Sequence, residues 1–403
     1  MKKKESLAII IPLLTGGGAE RTAANLSLAL NELYDLHLIV FDASTISYPY
    51  AGQLHSLNIP ASNGILIKLK NLIKRVMLVR KIKEDYNIVI SISLLETPNI
   101  VNCLSKKNDL VITSIRNQPT INFPGAGKTC VIDKWIQYFT NKKSDIIVAI
   151  SEGVRADLIN NFGASPSKVK TIYNPCDGKM LLKKAVLQKD KVKKMKGIPI
   201  TTMGRLVPQK GQWHLIRSFS LVAKAFPTAN LYIFGEGLLQ ERLEKIASDY
   251  GINQQVHFMG FVESPHAYII QSKLFVFTSL WEGLGNVLLE AMACGVPCIA
   301  SDCESGPREI LAGNSQVIGK LTNFELAKYG ILVSNCGSDN FDSTSPLTFE
   351  EKQLAEAMIH ILKSTELQNH YKEKSIERVN QFSPEFIRNQ WIQLIENFQA
   401  DEY

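Results

Sequence analysis

Short apolar runs alternate with stretches of helical spacing along most of this chain. Residues 7–14 (LAIIIPLL) are a continuous apolar run ending in Thr15 and three glycines. From Ala19 to Leu33, apolar residues recur at Ala23, Leu26, Ala29, Leu30 and Leu33. That sequence of signals predicts strand, glycine loop, helix. Residues 36–42, 87–92, 110–115, 145–151 and 168–173 read as further buried strands, separated by helical patterns over 97–106, 131–142 and 152–163. Residues 43–67 carry no readable pattern. A second series starts with a strand at 200–203 and continues with a helix at 213–226, a strand at 230–235, a helix at 239–250, a strand at 256–259, a helix at 265–271 and a strand at 274–279. A helix at 287–293 and a buried strand at 296–301 follow; beyond residue 313 helical patterns return at 354–362, 366–379 and 384–398. Such alternation predicts parallel sheets with crossover helices. Asn174-Pro175-Cys176-Asp177 breaks the rhythm, and the lysine-crowded residues 178–197 read as a linker between two domains.

At 403 residues the chain has room for two cores. With 45% apolar and 21% charged residues it has an ordinary globular composition. Its seven cysteines include no C-x-x-C pair, and Cys294, Cys298 and Cys303 are not spaced as zinc ligands. They read as reduced apolar packers, which points to the cytoplasm. Lys2-Lys3-Lys4 before the first apolar run looks like a signal peptide, but the run is short, contains Pro12 and ends in glycines, so a first buried strand is the better reading. No stretch approaches the roughly 18 apolar residues of a spanning helix. The net charge of +7 is compatible with lipids, phosphates or nucleic acid, so its placement matters more than its size. Within residues 68–86, Lys70, Lys74 and Lys81 fall on one helical face, with Leu69, Leu72, Ile73, Val76 and Val79 on the other. Such a helix suits an anionic membrane surface, and equally an ordinary helix with one solvated face.

Candidate chemistry concentrates at residues 281–311, WEGLGNVLLEAMACGVPCIASDCESGPREIL. Glu282 precedes the turn Gly283-Leu284-Gly285-Asn286, and Glu290 sits on the helix that follows. The first N–H groups of a helix lack intrahelical partners, the dipole there favours negative charge, and glycine admits a phosphate. A carboxylate accepts two hydroxyl hydrogen bonds at once, as a ribose diol offers. Phosphate at the helix start with hydroxyls at Glu282 and Glu290 makes a nucleotide-sugar site. Taken alone, the E-x7-E spacing also fits a helix with a solvated Glu at each end. Arg205 and Lys210, in a loop after a predicted strand, fit a diphosphate clamp or a pair of surface cations. The turn Gly16-Gly17-Gly18 fails the dinucleotide fingerprint because Arg21 stands where a glycine is needed, and Gly125-Ala126-Gly127-Lys128-Thr129 fails the P-loop pattern at Asn122.

These motifs together resemble the retaining glycosyltransferases of family 4. The resemblance rests on Met203-Gly204-Arg205-Leu206 with Gln209-Lys210-Gly211, on Phe234-Gly235-Glu236-Gly237, on Phe258-Met259-Gly260-Phe261, on the Glu282/Glu290 pair and on residues 305–311 (SGPREIL). In the first half it rests on Gly16-Gly17-Gly18-Ala19-Glu20-Arg21 and Ile172-Tyr173-Asn174-Pro175. It implies an α/β protein of the GT-B fold, with two Rossmann-like domains facing across a cleft. The domains implied are 1–177 for the acceptor, 178–380 for the nucleotide sugar, and a terminal helix, 381–403, crossing back to the first.

The implied reaction moves a hexose or N-acetylhexosamine from a UDP-sugar, with retention, to a lipid-linked saccharide of bacterial surface polysaccharide synthesis (O-antigen, lipopolysaccharide, capsule). It implies no cofactor beyond the UDP-sugar co-substrate, no metal, no nucleic acid, and a cytoplasmic enzyme peripheral to the inner membrane face. Arg205, Lys210 and Glu282 are the implied catalytic residues. Gly17, Gly204, Gly235, Val262, Gly283, Leu284, Gly285, Asn286, Val287 and Glu290 join them around the donor. Gly16, Gly18, Arg21, Arg116 and Asn117 are placed on the acceptor side. Many relatives carry a histidine near residue 116 that touches the donor sugar; here Arg116 and Asn117 stand instead, which leaves the sugar open. A nucleotide-sugar epimerase on the same fold is the main rival and needs an acid/base pair that the seven scattered histidines do not suggest. A dehydrogenase and a non-catalytic lectin-like subunit are weaker rivals.

Overall fold

The structure is a computed structural model that describes residues 4–122, 128–314, 321–337 and 341–401. It divides into two compact units: residues 1–174 with 385–403, and residues 175–384. The sequence reading drew its lines at 177/178 and 380/381.

Unit 1 runs β1 (Ser6–Ile11), α1 (Gly18–Leu30), β2 (Asp35–Val40), β3 (Gln53–Ser56), α2 (Ile65–Asp85), β4 (Ile88–Leu94), α3 (Glu96–Leu104) and β5 (Leu110–Ile115). It continues through α4 (Pro119–Asn122), α5 (Lys128–Lys143), β6 (Ile146–Ala149), α6 (Glu152–Phe162) and β7 (Val169–Thr171). The described strands form one parallel sheet in the order β3-β2-β1-β4-β5-β6-β7. β1 is central and buried on both faces, which is why it reads as a continuous apolar run rather than an alternation. Leu7, Ile9 and Ile11 point into a core shared with α1, while Ala8 and Ile10 point into one shared with Val79 of α2 and Val101 of α3. The last helix, α15 (Pro384–Asp401), belongs to unit 1 almost entirely: Ile387, Trp391 and Ile395 lie in the α1 core.

Unit 2 opens with α7 (Gly178–Gln188), β8 (Ile198–Met203), α8 (Gln212–Ala225), β9 (Ala229–Phe234), α9 (Gln240–Asp249), β10 (Val256–Gly260) and α10 (His266–Ile269). Then come β11 (Leu274–Phe277), α11 (Asn286–Ala293), β12 (Cys298–Asp302), α12 (Pro307–Leu311), β13 (Glu325–Leu326), β14 (Ile331–Ser334), α13 (Phe349–Lys363) and α14 (Thr365–Asn380). The sheet order is β10-β9-β8-β11-β12-β14-β13, parallel except for β13 against β14. Residues 178–188, read from the lysines as a linker, are the helix α7: it buries Leu181 and Ala185 while its lysines stay on the solvent side.

In both units the chain winds outward from one central strand and then returns to that strand's other side. The reversal falls between β1 and β4 in unit 1 and between β8 and β11 in unit 2. Open α/β sheets bind ligands beyond the carboxyl ends of strands at such a reversal.

α2 corrects the expected split between apolar and basic faces. Leu69 and Ile73 are 53% exposed, on the outside with the lysines, and Ile65, Leu66 and Met77 are more exposed still. The buried positions are Arg75, Val79 and Lys83. Arg75 donates to Ile59 O (2.7 Å) and Pro60 O (3.0 Å) and lies over the Phe41 ring. Lys83 donates to Asp109 Oδ2 and Asn102 Oδ1, both at 2.7 Å, in a pocket closed to solvent. Coulombic attraction between these two ions offsets their desolvation only because each is also hydrogen-bonded. Arg75 and Lys83 thus share the inner face of the helix with Leu72, Val76 and Val79, while Ile65, Leu66, Leu69, Ile73 and Met77 face out.

Candidate active site

At the reversal point of unit 2, β8 ends at Met203 and the chain turns through Gly204 and Arg205 into a short 3-10 turn, Pro208–Lys210. Gly211 follows at φ 58°, with its Cα so near Thr278 O that any Cβ would collide with it. This glycine sets the β8 loop directly against the end of β11. Thr278 Oγ1 donates to Lys210 O (3.0 Å), fixing the same junction from the other side. The result is that Lys210 Nζ donates to Glu282 Oε1 at 2.5 Å across the two loops, with both side chains largely buried and Nζ also 5.5 Å from the Phe277 ring centroid. Arg205, beside them, is exposed and makes no ion pair among the described residues. One cation is thereby fixed by the fold, and a second is free to close on a ligand.

Beyond Glu282, Gly283, Leu284 and Gly285 are buried and lead into α11. Gly285 caps α11 at φ 96°, a left-handed conformation that favours glycine, and supplies no side-chain cap. The first amides of α11, from Asn286 and Val287, therefore begin at a helix end capped by backbone alone. The SGPREIL segment braces the turn: Ser305 Oγ donates to Gly283 O (2.9 Å), and Gly306 at φ 93° lies so close to Leu284 O that only glycine fits. Gly235 is packed just as tightly on Gly204 O, and Gly204 N donates to Phe234 O (2.9 Å), which joins the β8 and β9 loops. Val262 packs with Met203, Phe234 and Tyr268 in a small apolar cluster.

Glu290, one turn into α11, is partly exposed, and its Oε2 lies 3.0 Å from His266 Nε2. No sequence signal pointed to His266, because 24 residues and a strand separate the partners. One carboxylate oxygen is held by the imidazole, and the other is left to accept hydroxyl hydrogen bonds. Burial, and secondarily Glu290, pushes the nearby Cys294 thiol up to about 12; burial raises Cys303 as well, with Glu282 adding to it. Neither thiol is a nucleophile near neutral pH. The six described cysteines are all buried free thiols.

In unit 1, Gly16 (φ 85°), Gly17 and Gly18 carry the chain from β1 to α1, which Gly17 caps without a side-chain hydrogen bond. The Glu20 carboxylate folds back against Gly17, and Arg21 points to solvent. Arg116, just past the end of β5, is 8% exposed: its Nη2 donates to Thr22 Oγ1 (3.2 Å) and its Nη1 to Ser114 Oγ (3.3 Å). Burial alone pulls this guanidinium down to about 10. Asn117 is exposed. The structure thus joins Arg116 to α1 through Thr22 and joins Arg205, Lys210, Glu282, Glu290 and the α11 turn around the ends of β8 and β11. Residues 125–127 of the failed P-loop match lie outside the described residues.

Comparison with known proteins bears on the whole chain. Residues 183–328 match the family described as "Glycosyl transferases group 1", and residues 16–178 match "Glycosyltransferase Family 4". An uncharacterized glycosyltransferase of Methanocaldococcus jannaschii is 31% identical over 306 residues, 72% of each chain. The N-acetylgalactosamine-N,N'-diacetylbacillosaminyl-diphospho-undecaprenol 4-alpha-N-acetylgalactosaminyltransferase of Campylobacter jejuni is 28% identical, covering 94% of this chain and 96% of its own. Among solved structures, Anabaena HepE in complex with UDP superposes with a TM-score of 0.73 at 16% identity, covering 98% of this chain and 100% of HepE. The two doubly wound sheets, the glycine-packed loops at their reversal points and these matches converge: the chain belongs to the family 4-like glycosyltransferases and has their two-domain GT-B fold.

Proposed function

We propose that this glycosyltransferase moves a hexose or N-acetylhexosamine from a UDP-sugar, with retention and without a metal, to a saccharide carried on a lipid diphosphate in bacterial surface polysaccharide synthesis. The single observation that carries the reading is the Lys210–Glu282 contact beside the glycine-capped start of α11, at the reversal point of the unit 2 sheet. Bond cleavage at the anomeric carbon puts charge on the departing diphosphate and on an oxocarbenium-like sugar. Lys210 and the α11 amides supply fixed positive charge to the first, and Arg205 closes on it. Glu282 accepts hydroxyls of the second, and Glu290 accepts the ribose diol. The bond from the anomeric carbon to the diphosphate oxygen breaks, and that oxygen takes the acceptor proton. The acceptor oxygen then bonds the anomeric carbon on the face just vacated, so configuration is kept. Gly204, Gly235 and Val262 line the donor, with Val262 backbone groups reading the base. The Campylobacter relative's name supports the lipid-diphosphate acceptor. Proton NMR of the product, started from a UDP-α-sugar, should show an α linkage, and turnover should survive excess EDTA; a β product or a dead enzyme in EDTA would overturn the corresponding part.

Glu290→Ala is expected to raise KM for the nucleotide sugar about tenfold with a smaller change in kcat, because a ribose contact is made in both ground and transition states. Steady-state kinetics with varied donor read this directly.

No helix among the described residues is long and apolar enough to cross a membrane. The outward face of α2 supports peripheral docking instead: Leu66, Leu69, Ile73 and Met77 stand among Lys68, Lys70, Lys74 and Lys81. Apolar burial together with attraction to anionic headgroups is what holds such a helix at an interface. Reversing Lys70, Lys74 and Lys81 to Glu should abolish co-flotation with phosphatidylglycerol vesicles. Unchanged flotation would remove α2 from the membrane contact.

A further inference from the structure

Arg116 is a buried cation that has no counter-ion among the described residues. Among the described residues no carboxylate pairs with it, its two hydrogen bonds go to neutral hydroxyls, and its Nε has no partner. The contrast within unit 1 is direct: Lys83, equally buried, has Asp109 at 2.7 Å. A guanidinium has five donors and keeps its charge at physiological pH, so leaving it unmatched in a desolvated position costs stability. Proteins retain such a feature where a ligand completes it.

The surroundings also mark a binding position. Arg116 follows the carboxyl end of β5, next to β4, on the edge where the unit 1 sheet reverses. Thr22, which accepts from Arg116, lies in the second turn of α1, whose start is capped by glycine alone. Leu95, directly after β4 on the same edge, is held at φ 78°, a strained conformation for a residue with a side chain. In unit 2 the donor diphosphate already has Lys210, Arg205 and the α11 amides. The unmatched charge of unit 1 is therefore available to the other substrate.

We infer that Arg116, set against the first turns of α1, receives an anionic oxygen group carried by the acceptor. This rests on the transferase reading but not on the details of the donor site. Two sources share that chemistry: a phosphate of the lipid diphosphate, or a carboxylate of an acidic sugar. Arg coordinates either through two parallel N–H bonds.

The test uses the full chain, titrated by calorimetry with geranyl diphosphate, with methyl glucuronide and with UDP, as wild type, Arg116→Gln and Arg116→Lys. Arg116→Gln should weaken one of the first two ligands tenfold or more, Arg116→Lys should recover part of the loss, and UDP affinity should not move. Loss of geranyl diphosphate identifies the phosphate; loss of methyl glucuronide identifies the carboxylate. Unchanged affinity for both, or a loss confined to UDP, overturns the inference. Wild-type binding of UDP is read in the same series, so failure of the donor-site reading shows separately. A second variant covers the structural alternative. Ligand-free Arg116→Met should melt no lower than wild type, because it removes an unmatched charge; a melting point several degrees lower would make Arg116 a structural residue and overturn the inference.

Discussion

Lys210→Ala is expected to lower turnover a hundredfold or more, with Arg205→Ala and Glu282→Ala each losing about as much. Removing one preorganised charge donor from a transition state costs about 10²–10³ in rate, or about 2.7–4 kcal/mol. Lys210 carries the strongest expectation because the fold fixes it: Gly211 and Thr278 lock its backbone, and Glu282 holds its Nζ at 2.5 Å. Arg205 is exposed and pays side-chain entropy to close on the diphosphate, so its loss should show in KM as well as kcat. Lys210 and Glu282 share one contact, and their effects should not add. The Lys210→Ala/Glu282→Ala double variant should fall well short of the product of the two single losses. Rates for the four proteins, under saturating donor, check this. Near-normal turnover in all three single variants would end the assignment.

Asp109→Ala is expected to destabilise unit 1 by about 3–5 kcal/mol, the typical penalty when one partner of a buried pair is removed and the other charge remains. Lys83 would keep Asn102 Oδ1 and lose its only carboxylate among the described residues. The consequence should reach beyond stability. Lys83 and Arg75 are the polar anchors of α2, so the variant should also loosen the helix that carries the exposed apolar and basic face. Chemical denaturation measures the first effect, and amide exchange over residues 65–85 measures the second. Exchange as slow as in wild type, with a normal midpoint, would contradict both.

The parts of the fold that were legible in the sequence are those where one physical signal dominates. β1 sits in the middle of a parallel sheet, buries both faces and so appears as a continuous apolar run. The α11 turn was visible because its glycines, its two glutamates and the following buried strand lie within one short stretch. Of the edge strands, β7 and β10 were legible as short apolar runs, and β3 and β13 were not. β3 is only half-buried and four residues long, and β13 has two residues, so neither shows a periodicity. α7 was hidden by its lysines, which are solvated while Leu181 and Ala185 face inward. For α2 the periodicity is legible and Leu72, Val76 and Val79 face the core as it predicts, but Leu69 and Ile73 are exposed, because Arg75 and Lys83 take inward positions that hydrophobicity cannot foresee. The same limit explains the site. Lys210 and Glu282 were both chosen from motifs, but their contact, the His266 hold on Glu290 and the lack of a counter-ion for Arg116 among the described residues are facts of three-dimensional arrangement.

The central claim is that a nucleoside diphosphate sits at the glycine-capped start of α11, gripped by Lys210 and Arg205. A crystal of the full chain soaked with UDP tests it most directly. The account predicts diphosphate oxygens within hydrogen-bond distance of the Asn286 or Val287 amide and of Lys210 Nζ, with the ribose hydroxyls on Glu290. UDP bound at any other place, or bound here with Glu290 turned away from the ribose, would contradict it.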